Sequence, residues 1–215
     1  MNHEDMDARR KEFFNSHAEA WLDMFYRNPQ SGVLDRHEAD FKRLFSIIGL
    51  RLGDTVMDVG CGCGVLVPYI LDRIGPDGRL YEIDYAEKMI EVNKCLHQDP
   101  RITFLNTAVE FIGLPAASID KAICFACFPH FQRKTESLLE IKRVLKPGGV
   151  LIIAHFASAD EINHRHGKHE CVMHDRLPSE KEMRELLASV GFQIDSFEDE
   201  PGFYCIRAEN HSAGL

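Results

Sequence analysis

From residue 55 to residue 208 the chain alternates short apolar runs with segments of helical periodicity, and this alternation admits few folds. Thr55–Val59, Arg79–Ile83, Ile102–Asn106, Lys121–Cys127 and Val150–His155 read as strands. Among them lie helical patterns at Val65–Ile74, Glu87–His97, Gln132–Leu145 and Ser179–Val190. Such an order builds a mainly parallel sheet with helices on both faces, joined by right-handed crossovers. Two further runs, Gln193–Glu198 and Phe203–Ala208, are linked only by Asp199 to Gly202, too few residues for a crossover helix. They are expected to pair as an antiparallel hairpin at the sheet edge. The expectation is therefore one α/β domain spanning residues 1–215, long enough to bury its own core.

The helix boundaries carry their own signals. Ser179-Glu-Lys-Glu182 is a capping box; Met183, Leu186, Leu187 and Val190 follow as a buried stripe, and Gly191 stops the helix. Before the sheet, Asp5–Tyr26 repeats Phe13, Phe14, Trp21, Met24 and Phe25 at helical spacing until Asn28-Pro29 ends the run. Arg36–Ile48 sets Phe41, Leu44, Phe45 and Ile48 on one stripe, closed by Gly49.

Composition narrows the function. With 45% hydrophobic and 27% charged residues, the chain is neither disordered, collagen-like nor a membrane bundle. Its longest aliphatic stretch, Val150–Ala154, is far short of the roughly 20 residues a bilayer needs. A net charge of -9 disfavours nucleic acid, whose phosphates attract basic surfaces, so a small-molecule ligand is expected. Seven cysteines, an odd number, and a charged N-terminal segment lead us to expect reduced thiols and a cytoplasmic location.

The first strand runs into Asp58-Val-Gly60-Cys-Gly62-Cys-Gly64, with a helix directly after it. Three glycines there let the backbone turn tightly and approach a ligand. Asp84 closes the second strand 20 residues after Gly64, the spacing at which a carboxylate accepts hydrogen bonds from ribose hydroxyls. A nucleoside-type ligand follows. A dinucleotide and nicotinamide chemistry are disfavoured, because G-x-G-x-x-G counted from Gly60 and Gly62 meets Val65.

The segments VMDVGCGCG, YEIDYAEKMI and RVLKPGGVLIIAH resemble, in order, the motifs of class I S-adenosylmethionine-dependent methyltransferases, and the resemblance covers almost the whole chain. KEFFNSHAEAW is similar to the helix that closes over the cofactor in small-molecule members related to quinone-biosynthesis methyltransferases. The resemblance implies a seven-stranded Rossmann-like sheet with an antiparallel last strand, in agreement with the terminal hairpin. It makes residues 1–35 a helical lid. It also implies that Asp58, Gly60, Cys61, Gly62 and Gly64 line the methionine and ribose part of the cofactor, and that Asp84 holds the ribose. Tyr85 and Met89 would flank the adenine, and Cys124 would lie near the methionine end. Where the family often has an Asp after the third strand, this chain has Ala108, so adenine recognition falls to the backbone of Ala108 and Val109, or to Glu110. The N/D-P-P-Y/F tetrad of amino-directed DNA methyltransferases is absent; Cys127-Phe-Pro-His130 stands there. The short motif of true quinone C-methyltransferases is missing too.

In open α/β sheets the site lies beyond the carboxyl ends of the strands, which puts Cys127, Phe128, His130 and His155 near the transferable methyl. His130 or His155 would serve as base for a phenol, enol or amine acceptor. Five of the 11 histidines fall from His155 to Asp175, four of them in residues 156–178, a segment that reads as a loop over the acceptor pocket. It has three readings. It is a solvated loop; or His155, His164, His166, His169, Cys171 and His174 hold a divalent metal such as zinc; or Arg165, Lys168 and Arg176 join the histidines in a basic lid for an anionic acceptor. His174 beside Asp175 is a further candidate base pair. The reading that follows is a methyltransferase for a small acceptor, metal-assisted if the histidines converge. The alternative is a cofactor-binding or metal-sensing protein that does not turn over.

Overall fold

The computed structural model describes residues 3–211. Helix α1 (His3–His17), a 3-10 turn at Ala18–Ala20 and α2 (Trp21–Tyr26) precede α3 (Glu38–Ile48). Then β1 (Thr55–Val59), α4 (Val67–Ile74), β2 (Arg79–Asp84), α5 (Glu87–Leu96) and β3 (Ile102–Asn106) alternate. The chain continues through β4 (Ile119–Phe125), α6 (Lys134–Val144), β5 (Leu145–His155), α7 (Ala159–His166), α8 (Glu180–Ser189), β6 (Phe192–Glu200) and β7 (Phe203–Asn210).

The seven strands form one sheet in the order β3-β2-β1-β4-β5-β7-β6. The first five are parallel, whereas β7 runs antiparallel to both β5 and β6. The sheet is covered on both faces, and the strand side chains alternate between them: Val56, Ile123 and Ile152 pack with Phe41, Leu44, Val67 and Ile70 of α3 and α4. Their neighbours Met57, Cys124 and Ile153 pack with Leu138 and Ile141 of α6 and Met183 and Leu187 of α8. Two buried faces explain why these strands read as continuous apolar runs.

Several boundaries differ from the sequence reading. The stretch 5–26 is not one helix: the chain tightens at Ala18, whose carbonyl accepts from Cys63 Sγ at 3.2 Å, and Met24 and Phe25 turn outward to 49% and 38% exposure. β4 ends at Phe125 because Ala126 takes a positive φ of 56°, which takes Cys127 off the strand. The segment 156–178 is not all loop, since α7 starts there on a capping box between Ser158 and Glu161. That is the same S-x-x-E signal that marks α8. Among the described residues no helix is long and apolar enough to cross a membrane.

Candidate active site

The order of strands reverses between β1 and β4, and the crevice outside their carboxyl ends is where open α/β sheets take ligands. The glycine loop leaves β1 here. Gly60 has φ +67° and a Cβ on it would sit 2.5 Å from Cys127 Cβ, so this glycine lets the chain leaving β4 close on the loop. Gly64, at φ +80°, would clash at 2.3 Å with Asn93 Oδ1, so it serves the packing of α5 beneath the loop. Gly62 faces open space, with nothing nearer than Trp21 Nε1 at 3.9 Å to a Cβ placed there.

A cavity of about 790 Å³ opens at this point, within the range of small-molecule sites. Of the residues expected to hold a cofactor, Asp58, Gly60, Cys61, Gly62 and Asp84 line it on the loop side. Tyr85, Met89, Ala108 and Val109 line it farther along, together with Glu110. Phe14, Trp21 and Tyr26 from the N-terminal helices form its cover, and His130 and Gln132 stand on its wall after β4. Two expected residues are not in it: Gly64 packs against α5, and Cys124 is fully buried in the core beside α6.

The cavity floor is acidic. Asp84 Oδ2 accepts from the Gly62 amide at 3.0 Å and Oδ1 from the Ala86 amide at 2.8 Å. Burial pushes its pKa up to about 6, with these amides pulling the other way. Asp58, 2% exposed, is pushed well above the usual range by burial and by Glu82 beside it. Glu82, fully buried on β2, accepts from Asn93 Nδ2 at 2.7 Å and is raised by burial to about 8. Asp84, ionised above about pH 6, gives the floor a negative charge that favours a cationic ligand, and it keeps lone pairs for hydroxyl donors.

The wall after β4 meets the histidine-rich segment at Asp175. This carboxylate is buried, and His130 Nδ1 donates to its Oδ2 at 2.7 Å. Because a carboxylate only accepts, the proton sits on Nδ1 and the free lone pair on Nε2. Arg10 of α1 binds the same carboxylate with Nε at 2.8 Å and Nη2 at 2.7 Å, and Gln132 Nε2 donates to Oδ1 at 3.2 Å. Asp175, which the sequence reading pairs with His174, is paired instead with His130 and Arg10. His174 points outward into a separate, shallower depression, which it lines with Arg176.

The metal expectation is corrected. Among the described residues no three His, Cys, Asp or Glu side chains gather as a metal site. His164 and His166, two apart on α7, are turned about 200° from each other by the helix. His169, Cys171 and His174 are exposed, and His166 Nδ1 donates to the Asp175 carbonyl at 2.6 Å. His155 is sealed against Tyr204 with Nε2 unpartnered, and burial lowers its pKa to about 3. It does not line the cavity. Nor do Arg165, Lys168 and Arg176, so these three form no basic lid over it.

The methyltransferase domain family matches residues 57–153, the span from β1 through the glycine loop and Asp84 to β5. Over this span, just under half of its length, the chain is similar to methyltransferases. It is 28% identical over 182 residues to a probable S-adenosylmethionine-dependent methyltransferase of Mycolicibacterium smegmatis, an overlap of 84% of this chain and 63% of that one. It is 27% identical over 124 residues to a ubiquinone/menaquinone biosynthesis C-methyltransferase of Hydrogenovibrio crunogenus, covering 56% of this chain and 49% of the relative. The chain thus spans less than two thirds of the length of either relative. The crystal structure of a SAM-dependent methyltransferase from Aquifex aeolicus superposes with a TM-score of 0.69 at 25% identity, over 91% of this chain and 97% of the other.

Proposed function

We propose that the chain is an S-adenosylmethionine-dependent methyltransferase that moves a methyl group to a weakly acidic hydroxyl or nitrogen of a small acceptor, with His130 as general base. The observation that carries the reading is His130, fixed by Asp175 on the wall of the same cavity that Asp84 and the glycine loop line. The residues present suit S-adenosylmethionine: Gly62 leaves room for close approach, Asp84 offers acceptors for a hydroxyl pair, and the acidic floor suits a cation. Asp58, Cys61 and Gly62 would hold its methionine and ribose part, and Tyr85, Met89, Ala108 and Val109 its adenine. When bound, the cofactor supplies an electrophilic methyl on a sulfonium, a good leaving group.

The protein's part is alignment, exclusion of water and removal of one proton. Phe14, Trp21 and Tyr26 close the cavity from the N-terminal side. His130 Nε2 takes the proton of the acceptor, and Asp175 holds the ring in the tautomer that leaves Nε2 free. A positioned base contributes about 10²–10⁴-fold in rate. No metal is needed for this step, and none of the expected ligands converges.

The test is transfer of labelled methyl to a panel of phenolic, enolic and ring-nitrogen acceptors by the wild type and by His130→Gln. The expected result is labelled product with the wild type and a kcat at least about 100-fold lower in the variant, with S-adenosylhomocysteine bound equally by both. Equal rates in both proteins would remove His130 from the mechanism. Binding without transfer to any acceptor would return the non-catalytic alternative.

A further inference from the structure

Arg10 is the only buried Lys or Arg among the described residues, at 2% exposure, although its helix starts the chain. Taking a guanidinium out of water is costly unless paired and hydrogen-bonded. Here two of its nitrogens fork onto Asp175, and a third donates to Asp7 Oδ1 at 2.8 Å. Asp175 is therefore shared between a permanent cation and the catalytic imidazole. A buried carboxylate facing His130 alone would favour a protonated ring, which cannot take a proton. We propose that Arg10 is a positioning residue acting through Asp175: it balances that carboxylate and fixes its plane, so that His130 faces the cavity as a neutral proton acceptor. This inference rests on the reading of His130 as base.

The groups around His130 are consistent with one dominant charge balance. From α1 come Arg10 and Asp7, and Tyr85 follows β2 with its hydroxyl unpartnered. His155 lies beneath on β5, held neutral by burial. From α7, His166 stacks on the His130 ring at 5.1 Å, its own pKa lowered by burial, and Arg165 lies beyond it. Lys134 at the start of α6 donates to the carbonyls of Pro129 and Phe131 at 3.1 and 2.8 Å and is lowered by burial. Asp175 is the carboxylate that hydrogen-bonds the ring, and Arg10 is the cation bound to that carboxylate.

A second consequence concerns the cover. α1 also docks through Lys11 to Glu87 at 2.9 Å and through Asn15 Oδ1, which accepts from the Lys88 amide at 3.1 Å. The helix that covers the cavity thus delivers the cation that tunes the base. An undocked α1 exposes the acceptor to water and at the same time leaves His130 under the full charge of Asp175.

The experiment is a pH titration of the His130 ring by NMR in the free chain, assigned with His130→Gln, comparing wild type, Arg10→Gln and Arg10→Lys. The midpoint is expected to rise by roughly one pH unit in Arg10→Gln, the effect of losing one unit charge a few Å away. Arg10→Lys, which keeps the charge, should stay within about 0.3 units of the wild type. The acid limb of kcat should move with the midpoint, because the base is lost to protonation over a wider range. A midpoint in Arg10→Gln that is unchanged or lower would overturn the proposal, even if His130 proves to be the base. Should Arg10→Gln not fold, the nitrogen shifts of His130 in the wild type decide: a neutral ring protonated on Nδ1 at pH 7.5 agrees, and a doubly protonated ring overturns it.

Discussion

Glu82 makes the stability of the fold depend on pH above neutrality. It is fully buried under the glycine loop, and its Oε1 and Asn93 Oδ1 both lack a partner. A proton on the carboxyl removes the charge that Oε1 would otherwise carry with no donor facing it. That agrees with a pKa near 8 raised by burial, which leaves the group mostly protonated at pH 7. Glu82→Gln therefore replaces one neutral group by another of equal shape and should change stability at pH 7 by less than about 1 kcal/mol. An acid raised in the folded state lends stability that is complete below its ordinary pKa of about 4.5 and is lost as the pH climbs through about 8. Between pH 7 and pH 9 the folded wild type gives up that proton while the unfolded chain has none to lose. Integrating over that interval gives a loss of about 1.4 kcal/mol. Guanidinium unfolding at the two pH values, on wild type and Glu82→Gln, measures it. The difference between the proteins should grow by that amount in favour of the variant. A variant already several kcal/mol weaker at pH 7, or parallel losses in both proteins, would refute a protonated Glu82.

Three further outcomes follow from the same geometry. Gly64→Ala should cost about 2–5 kcal/mol of stability, from a strained positive φ and overpacking against Asn93, as read by denaturant midpoint. Asp175→Asn leaves Arg10 with Asp7 as its one charged partner and should lower stability by about 3–5 kcal/mol, or roughly 10 °C in Tm by calorimetry. Chelator treatment should leave the affinity for S-adenosylhomocysteine within about twofold; a larger loss, restored by zinc, would revive a metal role for the histidine-rich segment.

The fold was legible because its signals are local. Continuous apolar strands mark a sheet buried on both faces, and Asp84 stands at a fixed spacing from the glycine loop. The two-residue turn at Pro201-Gly202 agrees with the short Asp199–Gly202 link that requires a hairpin. The proposed base was legible only in part. His130 follows from its place after β4, but its partner Asp175 lies 45 residues away and Arg10 is 165 residues from Asp175. No periodicity or motif links residues so far apart in sequence. The histidine-rich segment misleads for a different reason. Counting residue types along the chain groups His164 and His166, yet α7 turns them apart, and the Ser158-to-Glu161 cap that starts this helix is masked by the density of possible ligands. Gly64 looks like its neighbours in the loop, and only the approach of Asn93 shows that it serves packing.

Calorimetric titration of S-adenosylhomocysteine into wild type and Asp84→Asn tests most directly whether the glycine loop and Asp84 hold the cofactor. One site per chain is expected, with affinity about 10-fold or more lower in the variant, because the loss of a charged acceptor costs about 1.5–3 kcal/mol. Wild-type affinity is also expected to fall as the pH drops through about 6, where Asp84 takes up its proton. No heat of binding, or an affinity indifferent to both the substitution and the pH, would contradict that role of the loop and Asp84.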